Sequence, residues 1–445
     1  MESNDRWWSR IEPDEWRGVL FAFAWLFFLL LAYFTVRPVR ETMSSLVDSE
    51  ELSYLFLASF LVMLVVVPAY GALVARLPRR WLVRSVYHFF ALCLVAFWFA
   101  MRIDSAQFQS WVARTFFVWV SVFGIFSTSV FWSVLADMFT NQQGKRLFGF
   151  IAAGGTVGAI TGSVVASQLA TRLSTGALLM VPVIMLELGL VCAWQLQSQA
   201  AKIRRADPQR VDSEIASKRP TGGGLWVGIT HVFRSPYLGL ICLFLLFVQC
   251  LATQLYFTQA EIVKGAIESP EERTALFAYV DLGTQLVTLL VQVGLSGLIM
   301  RRMGVAVALV LLPVIYFIGF GALAVQPSLE VLVVTVVAAR AGGYGIGVPA
   351  REVLFTVVSR EDKYKSKNFI DTVILRGGDT VGGQIFRLMR GWDWTLQTIS
   401  LILMPATAVW ALVAWQLGRR QRVLAESAAQ QTGQLGMANV EENAQ

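Results

Sequence analysis

Val19-Leu20-Phe21-Ala22-Phe23-Ala24-Trp25-Leu26-Phe27-Phe28-Leu29-Leu30-Leu31-Ala32-Tyr33-Phe34-Thr35-Val36 runs on without a charged residue. With its flanks, residues 17–37 are long enough to cross a hydrocarbon layer of ~30 Å as one helix. Similar runs follow at 52–75, 82–101, 111–135, 147–171 and 174–196, and again at 237–258, 274–299, 304–326, 328–350, 368–389 and 394–417. Lipid gives an open backbone no hydrogen-bond partner, so only helices or a closed barrel can span it. A barrel would show short alternating segments, and these runs are continuous. The fold class is therefore an all-α membrane protein of twelve transmembrane helices.

Composition agrees. The chain has 445 residues, 56% hydrophobic and only 15% charged, whereas a soluble domain carries about a quarter charged residues. A formal charge of +7 would suggest nucleic acid in a soluble protein. Here the cations sit in short loops, as the positive-inside rule requires, so the expected partner is a lipid bilayer and not nucleic acid. Arg76, Arg79, Arg80 and Arg84 follow span two, Lys145 and Arg146 span four, and Arg301 and Arg302 span eight. Arg360, Lys363, Lys365 and Lys367 follow span ten, and Arg419, Arg420 and Arg422 span twelve. Asp48, Glu50, Glu51, Glu268, Glu271 and Glu272 lie on the other side. The expectation is a multi-pass protein of the plasma (inner) membrane with both termini cytoplasmic. The acidic start, with Glu2, Asp5, Glu12, Asp14 and Glu15, lacks the basic region of a signal peptide, so the first run is expected to stay as a membrane helix.

Cys93, Cys192, Cys242 and Cys250 all fall within apolar runs, and His88 and His231 are far apart. Neither a disulfide frame nor a zinc constellation is indicated. No metal or organic cofactor is implied. No nucleophile–base set is visible either, so the reading is a carrier and not an enzyme, with a membrane enzyme or a non-transporting sensor as the less favoured class. Oligomeric state is left open.

The chain divides into a six-helix bundle at 1–196, a cytoplasmic linker at 197–236, a second six-helix bundle at 237–417 and a cytoplasmic tail at 418–445. Arg79-Arg80 and Arg301-Arg302 are 222 residues apart, as are Lys145 and Lys367, and Gly155 and Gly377. One offset serving two loops points to a parallel repeat. In such folds the substrate site lies between the halves near mid-membrane and is opened alternately to each side. The linker ends in Thr221-Gly222-Gly223-Gly224, which suits a flexible joint; no Gly-Lys-Ser/Thr follows to make a phosphate loop.

Ionisable residues inside spans are costly and mark candidate function. At the end of span one, Arg37 and Arg40 flank Pro38, which is expected to bend or end the helix. They are either an anion clamp, since guanidinium forks fit phosphate and carboxylate, or interfacial side chains partnered by Glu41. In span eleven, at 100° per residue, Arg376, Asp379, Gly383, Arg387 and Arg390 fall within about 80° of one another. Arg376 and Asp379, three apart, can neutralise each other as a structural bridge or as a gate. Asp371 points elsewhere. Arg340, Asp281, Arg114 and Glu187 are further charges in or near apolar runs; Gln249, Gln254, Gln285, Gln292 and Gln384 line a path or glue helices together. Gly154, Gly158 and Gly162 form a close-packing face, while Gly342, Gly343, Gly345, Gly347 and Pro349 should soften span ten.

Three stretches carry a resemblance. Arg37-Pro38-Val39-Arg40-Glu41 is one and Gln259-Ala260-Glu261-Ile262-Val263-Lys264 the second. The third is Pro349-Ala350-Arg351-Glu352, running into Lys363-Tyr364-Lys365-Ser366-Lys367-Asn368-Phe369-Ile370-Asp371. The chain resembles the ATP/ADP translocase family, nucleotide antiporters of plastids and intracellular bacteria within the wider major facilitator fold. The resemblance implies two six-helix repeats and a divergent bacterial-type member. It implies that Arg37, Arg40 and Glu41 stand for the family's first-helix pattern, with Arg replacing Lys, and that Glu261 stands for its functional acid after the seventh helix. The family's eleventh-helix Lys falls near Asp379, a charge reversal.

The expected function is secondary active transport by alternating access of an anionic solute, a nucleotide or phosphorylated metabolite. The alternative is a carrier of another organic anion or a lipid-like substrate. Substrate contacts are assigned to Arg37, Arg40, Glu261, Arg340 and Arg376, and gating or coupling to Glu41, Asp281, Asp371 and Asp379.

Overall fold

The computed structural model describes residues 11–12, 15–76, 79–139, 141–205, 235–358 and 370–442. The linker from 206 to 234, with His231 and the glycines at 222–224, lies outside the described residues. So does the basic loop 359–369, with Arg360, Lys363, Lys365, Lys367, Asn368 and Phe369. The ordered elements are helices, and among the described residues there is no strand.

The first half of the sequence forms α1 (Trp16–Ser44), α2 (Ser49–Arg76), α3 (Arg79–Ala100), α4 (Ala106–Met138), α5 (Asn141–Leu169), the short α6 (Thr175–Leu178) and α7 (Met180–Arg205). The second half forms α8 (Pro236–Ala266), α9 (Pro270–Leu290), α10 (Gly297–Arg302), α11 (Gly304–Val325), α12 (Leu329–Gly342), α13 (Val348–Leu354), α14 (Leu375–Gly391) and α15 (Leu396–Glu442). Among the described residues, eleven spans are long and apolar enough to cross a membrane. The expected span eleven is helical as well, but α14 carries Arg376, Asp379, Arg387 and Arg390 within its 17 residues, too many charges for apolarity alone to mark it.

Pro38 does not end α1. The helix runs on to Ser44 with Pro38 inside it, so Arg37, Arg40 and Glu41 all project from regular helix. Proline removes its own N–H from the ladder and crowds the carbonyl four residues back, yet the helix continues, and one turn on Thr42 Oγ1 donates to the Pro38 carbonyl at 3.1 Å.

Contacts divide the chain into two compact units. Unit 1 holds residues 1–48, 57–221 and 264–285; unit 2 holds 49–56, 222–263 and 286–445. Unit 1 is organised around α1. A Cβ on Gly154 would lie 2.5 Å from the Phe23 carbonyl oxygen, one on Gly158 would collide with the Phe27 carbonyl, and one on Gly162 would lie 2.6 Å from the Leu31 carbonyl. Each step of four on α5 meets a step of four on α1, so the two helices run parallel with their backbones in close contact. On the other side of α1, Trp25 is fully buried and meets Phe131 and Tyr87 edge-on, with ring centroids 4.9 and 5.9 Å away.

Unit 2 uses the same device. A Cβ on Gly378 would stand 2.8 Å from Gln249 Cβ, and one on Gly382 would stand 2.9 Å from the Cys250 carbonyl. Thus α14 runs parallel to α8 on small residues. The faces at Gly154 and Gly158 and at Gly378 and Gly382 are 224 residues apart, two more than the offset that relates the loops. Among the described residues of this unit there are three π-helical turns, at Val291–Ser296, Gly343–Gly347 and Ile370–Ile374. The first two touch: the Gln292 amide donates to the Tyr344 carbonyl at 3.2 Å, and Gly345 faces Val291. The glycine run of span ten is therefore a π turn packed against another. Such turns shift helix register locally and concentrate at functional positions.

Candidate functional site

Unit 1 brings four of the expected residues together. The Arg37 Nη1 lies 3.1 Å from Asp281 Oδ1 on α9, and its Nε lies 3.7 Å from Glu41 Oε1. Arg40 Nη1 lies 3.8 Å from the same Glu41 oxygen, and its guanidinium carbon sits 4.1 Å from the Phe117 ring centroid. The side chains are 11% (Arg37), 18% (Arg40), 3% (Glu41) and 1% (Asp281) exposed. These are not interfacial side chains reaching for water. They form a network of two cations and two acids, and such burial is tolerable only because the charges are mutually compensated.

The α1–α9 contact continues towards the end of α1. Thr42 Oγ1 and Thr274 Oγ1 are 2.7 Å apart. The buried Arg273 guanidinium donates to the Ser45 carbonyl and hydroxyl at 3.1 and 3.2 Å, and to the Ile267 and Lys264 carbonyls at 2.7 and 3.2 Å. Neither Arg273 nor Thr274 stands out in the sequence, because nothing local says that a helix-start arginine will cap another helix.

Unit 2 holds the remaining residues in separate groups. Asp379 is shared: Oδ1 accepts from the Gln249 amide at 2.9 Å and from Thr253 Oγ1 at 3.4 Å, while Oδ2 lies 3.5 Å from Arg376 Nη1. Arg376 is the more open partner, 37% exposed against 18%. Lower on the same stripe of α14, Arg387 reaches the Tyr54 hydroxyl at 2.8 Å and Glu50 at 3.7 Å. Arg390 Nε donates to Glu261 Oε1 at 3.2 Å, and its Nη1 to the Trp394 carbonyl at 2.8 Å. Arg340 Nη2 donates to Gln259 Oε1 at 3.2 Å. Asp371 is in the π turn Ile370–Ile374, but its side chain lies outside the described residues.

The five residues expected to contact substrate therefore fall into both units: Arg37 and Arg40 in unit 1, and Glu261, Arg340 and Arg376 in unit 2. Glu187 pairs with His88 Nδ1 at 3.0 Å, both side chains being about half exposed on unit 1, and Arg114 lies 4.9 Å from the Trp111 ring. Among the described residues no group of three or more His, Cys, Asp or Glu could hold a metal ion.

The model of the Major Facilitator Superfamily matches residues 18–366. No curated protein matches the chain. Among solved structures, the chain is similar to a bacterial homolog of the human lysosomal transporter Spinster, in an inward-facing and unoccupied conformation. The two share 16% identity with a TM-score of 0.59, over 92% of this chain and 98% of that one. It is similar to the nucleoside transporter NupG at 15% identity and a TM-score of 0.58, covering 91% and 99%. A POT family transporter in complex with 5-aminolevulinic acid gives a TM-score of 0.62 at 12% identity, covering 91% and 96%. At these identities the likeness is one of fold, and the fold is that of transporters. With its apolar helices, its paired glycine faces and a family match over most of its length, the chain belongs to the Major Facilitator Superfamily.

Proposed function

We propose that the protein is a secondary active transporter working by alternating access, and that its cargo is an anion, a nucleotide or another phosphorylated metabolite. The observation that carries this reading is the Arg37–Arg40–Glu41–Asp281 network inside the helices of a transporter fold. Charges buried at such depth need a use or a partner. Here each guanidinium is held by a carboxylate, and an incoming anion would take the carboxylate's place. An anion arriving at Arg37 competes with Asp281, which then needs a proton or another cation. Glu41 and Asp281 are thus coupling groups, and Arg37 and Arg40 cargo groups.

The second unit supplies a similar arrangement. Arg376 is the more open member of its pair, and Asp379 keeps Gln249 and Thr253. Arg376 can therefore turn towards an anion without loosening α14 from α8. Arg340 and Glu261 are proposed cargo contacts, and Asp371 and Asp379 coupling groups. The narrower reading, nucleotide exchange, rests on the resemblance at Arg37–Glu41 and at Glu261; Asp379, falling near the place where that family has Lys, argues for a cargo with fewer negative charges than a triphosphate. The protein is further proposed to lie in the inner membrane with both termini cytoplasmic.

Uptake into proteoliposomes tests the proposal. Labelled ADP, a sugar phosphate and a phosphate-free dicarboxylate are offered with and without the same compound inside. Saturable uptake of at least one phosphorylated anion, stimulated from within and cut about tenfold or more by Arg40→Ala, is expected. Uptake of the dicarboxylate alone would move the cargo to the organic anions. Saturable uptake of none of the three anions would overturn the reading.

A further inference from the structure

At the end of unit 1 where α1 and α3 stop and α4 and α9 begin, the structure contains a cavity of about 380 Å³, within the range of small-molecule sites, roughly 300–1,000 Å³. None of the residues assigned to cargo or coupling lines it. Its lining includes the apolar Leu46, Trp98, Met101 and Ala113 and two opposite charges, Arg102 and Glu271. Arg102 is exposed and lies with its guanidinium carbon 3.9 Å from the Trp98 ring centroid. Stacked in this way, a guanidinium keeps its in-plane N–H groups for an anion. Glu271 is half-buried and uses Oε2 to accept from Ser269 Oγ at 3.0 Å. Gln109 is fixed by donating its amide to the Ala100 and Ile103 carbonyls at 3.1 and 2.7 Å, which leaves its Oε1 as an acceptor.

We infer that this cavity is a second ligand site, separate from the cargo residues, for a zwitterion with an apolar body. The anionic group meets Arg102, the ammonium meets Glu271, and the body covers Leu46, Met101 and Ala113. Two sources share this chemistry: a free hydrophobic amino acid and the ethanolamine headgroup of a phospholipid. The site borders the junction at which α9 holds the end of α1 through Thr274 and Arg273. A bound zwitterion touches Leu46 on one side and Glu271 on the other, and so stiffens that junction. The inference does not depend on what the cargo is.

Thermal unfolding of the purified full-length protein with L-phenylalanine, and separately with dihexanoyl phosphatidylethanolamine, tests it; a ligand that favours the folded state raises the midpoint. Phenethylamine and 3-phenylpropionate, each lacking one charge, serve as half-ligands. At least one zwitterion is expected to raise the midpoint saturably, with each half-ligand at least tenfold weaker than L-phenylalanine if that is the active source. A response to the lipid alone assigns the headgroup, and a response to the amino acid alone assigns the free zwitterion. Arg102→Gln and Glu271→Gln should each weaken binding about tenfold with little change in the ligand-free midpoint. Hydrogen exchange should slow in 43–47 and 101–110 when the ligand binds. No shift with either zwitterion, a shift that survives both substitutions, or protection confined to other segments would overturn the assignment.

Discussion

The Arg37 guanidinium stands 3.1 Å from the Asp281 carboxylate, and the Asp281 side chain is 1% exposed. An ion pair so far from water gives less net stability than its geometry suggests, because both charges were desolvated to make it. Removing one partner is another matter, since it leaves the other charge buried. Arg37→Met is therefore expected to destabilise the protein by about 3 kcal/mol, and Asp281→Leu by a similar amount. The double substitution Arg37→Met/Asp281→Leu should cost less than the two together, with a coupling of about 1 kcal/mol or more. Unfolding of the four proteins in the same detergent measures it; strict additivity would mean that the two side chains do not act on one another.

The backbone contact between α1 and α5 makes a second expectation. A Cβ at Gly158 would collide with the Phe27 carbonyl, whereas one at Gly149 on the same helix would meet nothing within 4 Å. Gly158→Ala must push two helices apart and should cost about 1–3 kcal/mol. Gly149→Ala has only the backbone entropy of the unfolded chain to change, and should be neutral or stabilising by up to about 1 kcal/mol. Melting temperatures of the two variants, measured side by side, should move in opposite directions or by clearly unequal amounts.

The spans and the glycine face of α5 were legible in the sequence because they depend on local properties. Length and apolarity mark a helix such as Gly304–Val325 wherever it packs, and a four-residue glycine repeat such as Gly154, Gly158 and Gly162 has few uses in a membrane helix other than close approach. The α14 stripe was legible for the same reason, since 100° per residue places Arg376, Asp379, Arg387 and Arg390 on one side. Partners were not legible. Nothing near Asp281 in sequence points to Arg37, 244 residues away, nor anything near Glu261 to Arg390. Continuation of α1 through Pro38 was likewise invisible, because tertiary packing overrides a single residue's preference.

Asp379 gives a prediction that separates its charge from its hydrogen bonds. Asp379→Asn keeps a carbonyl oxygen able to accept from Gln249 and Thr253 and loses the charge attraction to Arg376. With Arg376 37% exposed, that attraction is worth little, so the stability change should stay within about 1 kcal/mol. Asp379→Leu removes the acceptor and leaves the Gln249 amide unsatisfied against α14, which should cost about 1–3 kcal/mol. If transport of the identified cargo falls sharply in Asp379→Asn while its melting temperature holds, the carboxylate acts in the transport step. Unchanged kinetics in the Asn variant would reduce it to a helix fastener.

Glu15, fully buried just before α1, gathers three donors. Arg146 Nη2 reaches Oε1 at 2.6 Å, the Gln143 amide reaches it at 2.9 Å, and the Glu12 N–H reaches Oε2 at 3.1 Å. The same Arg146 uses its other terminal nitrogen on Glu12 at 3.0 Å, so one guanidinium ties the approach to α1 onto the start of α5. A lysine has a single charged nitrogen and cannot reproduce two separate in-plane contacts. Arg146→Lys should therefore loosen this end of the unit, although charge is conserved. Glu15→Ala should cost more, about 2–4 kcal/mol, because Gln143 and Arg146 both lose a buried acceptor. Limited proteolysis ahead of residue 16 is the sharpest readout: cleavage should quicken in Glu15→Ala and, to a smaller extent, in Arg146→Lys. Added salt should change the wild-type rate little, since the Glu15 carboxylate is buried, whereas the exposed Lys264–Asp48 pair has no such protection from screening.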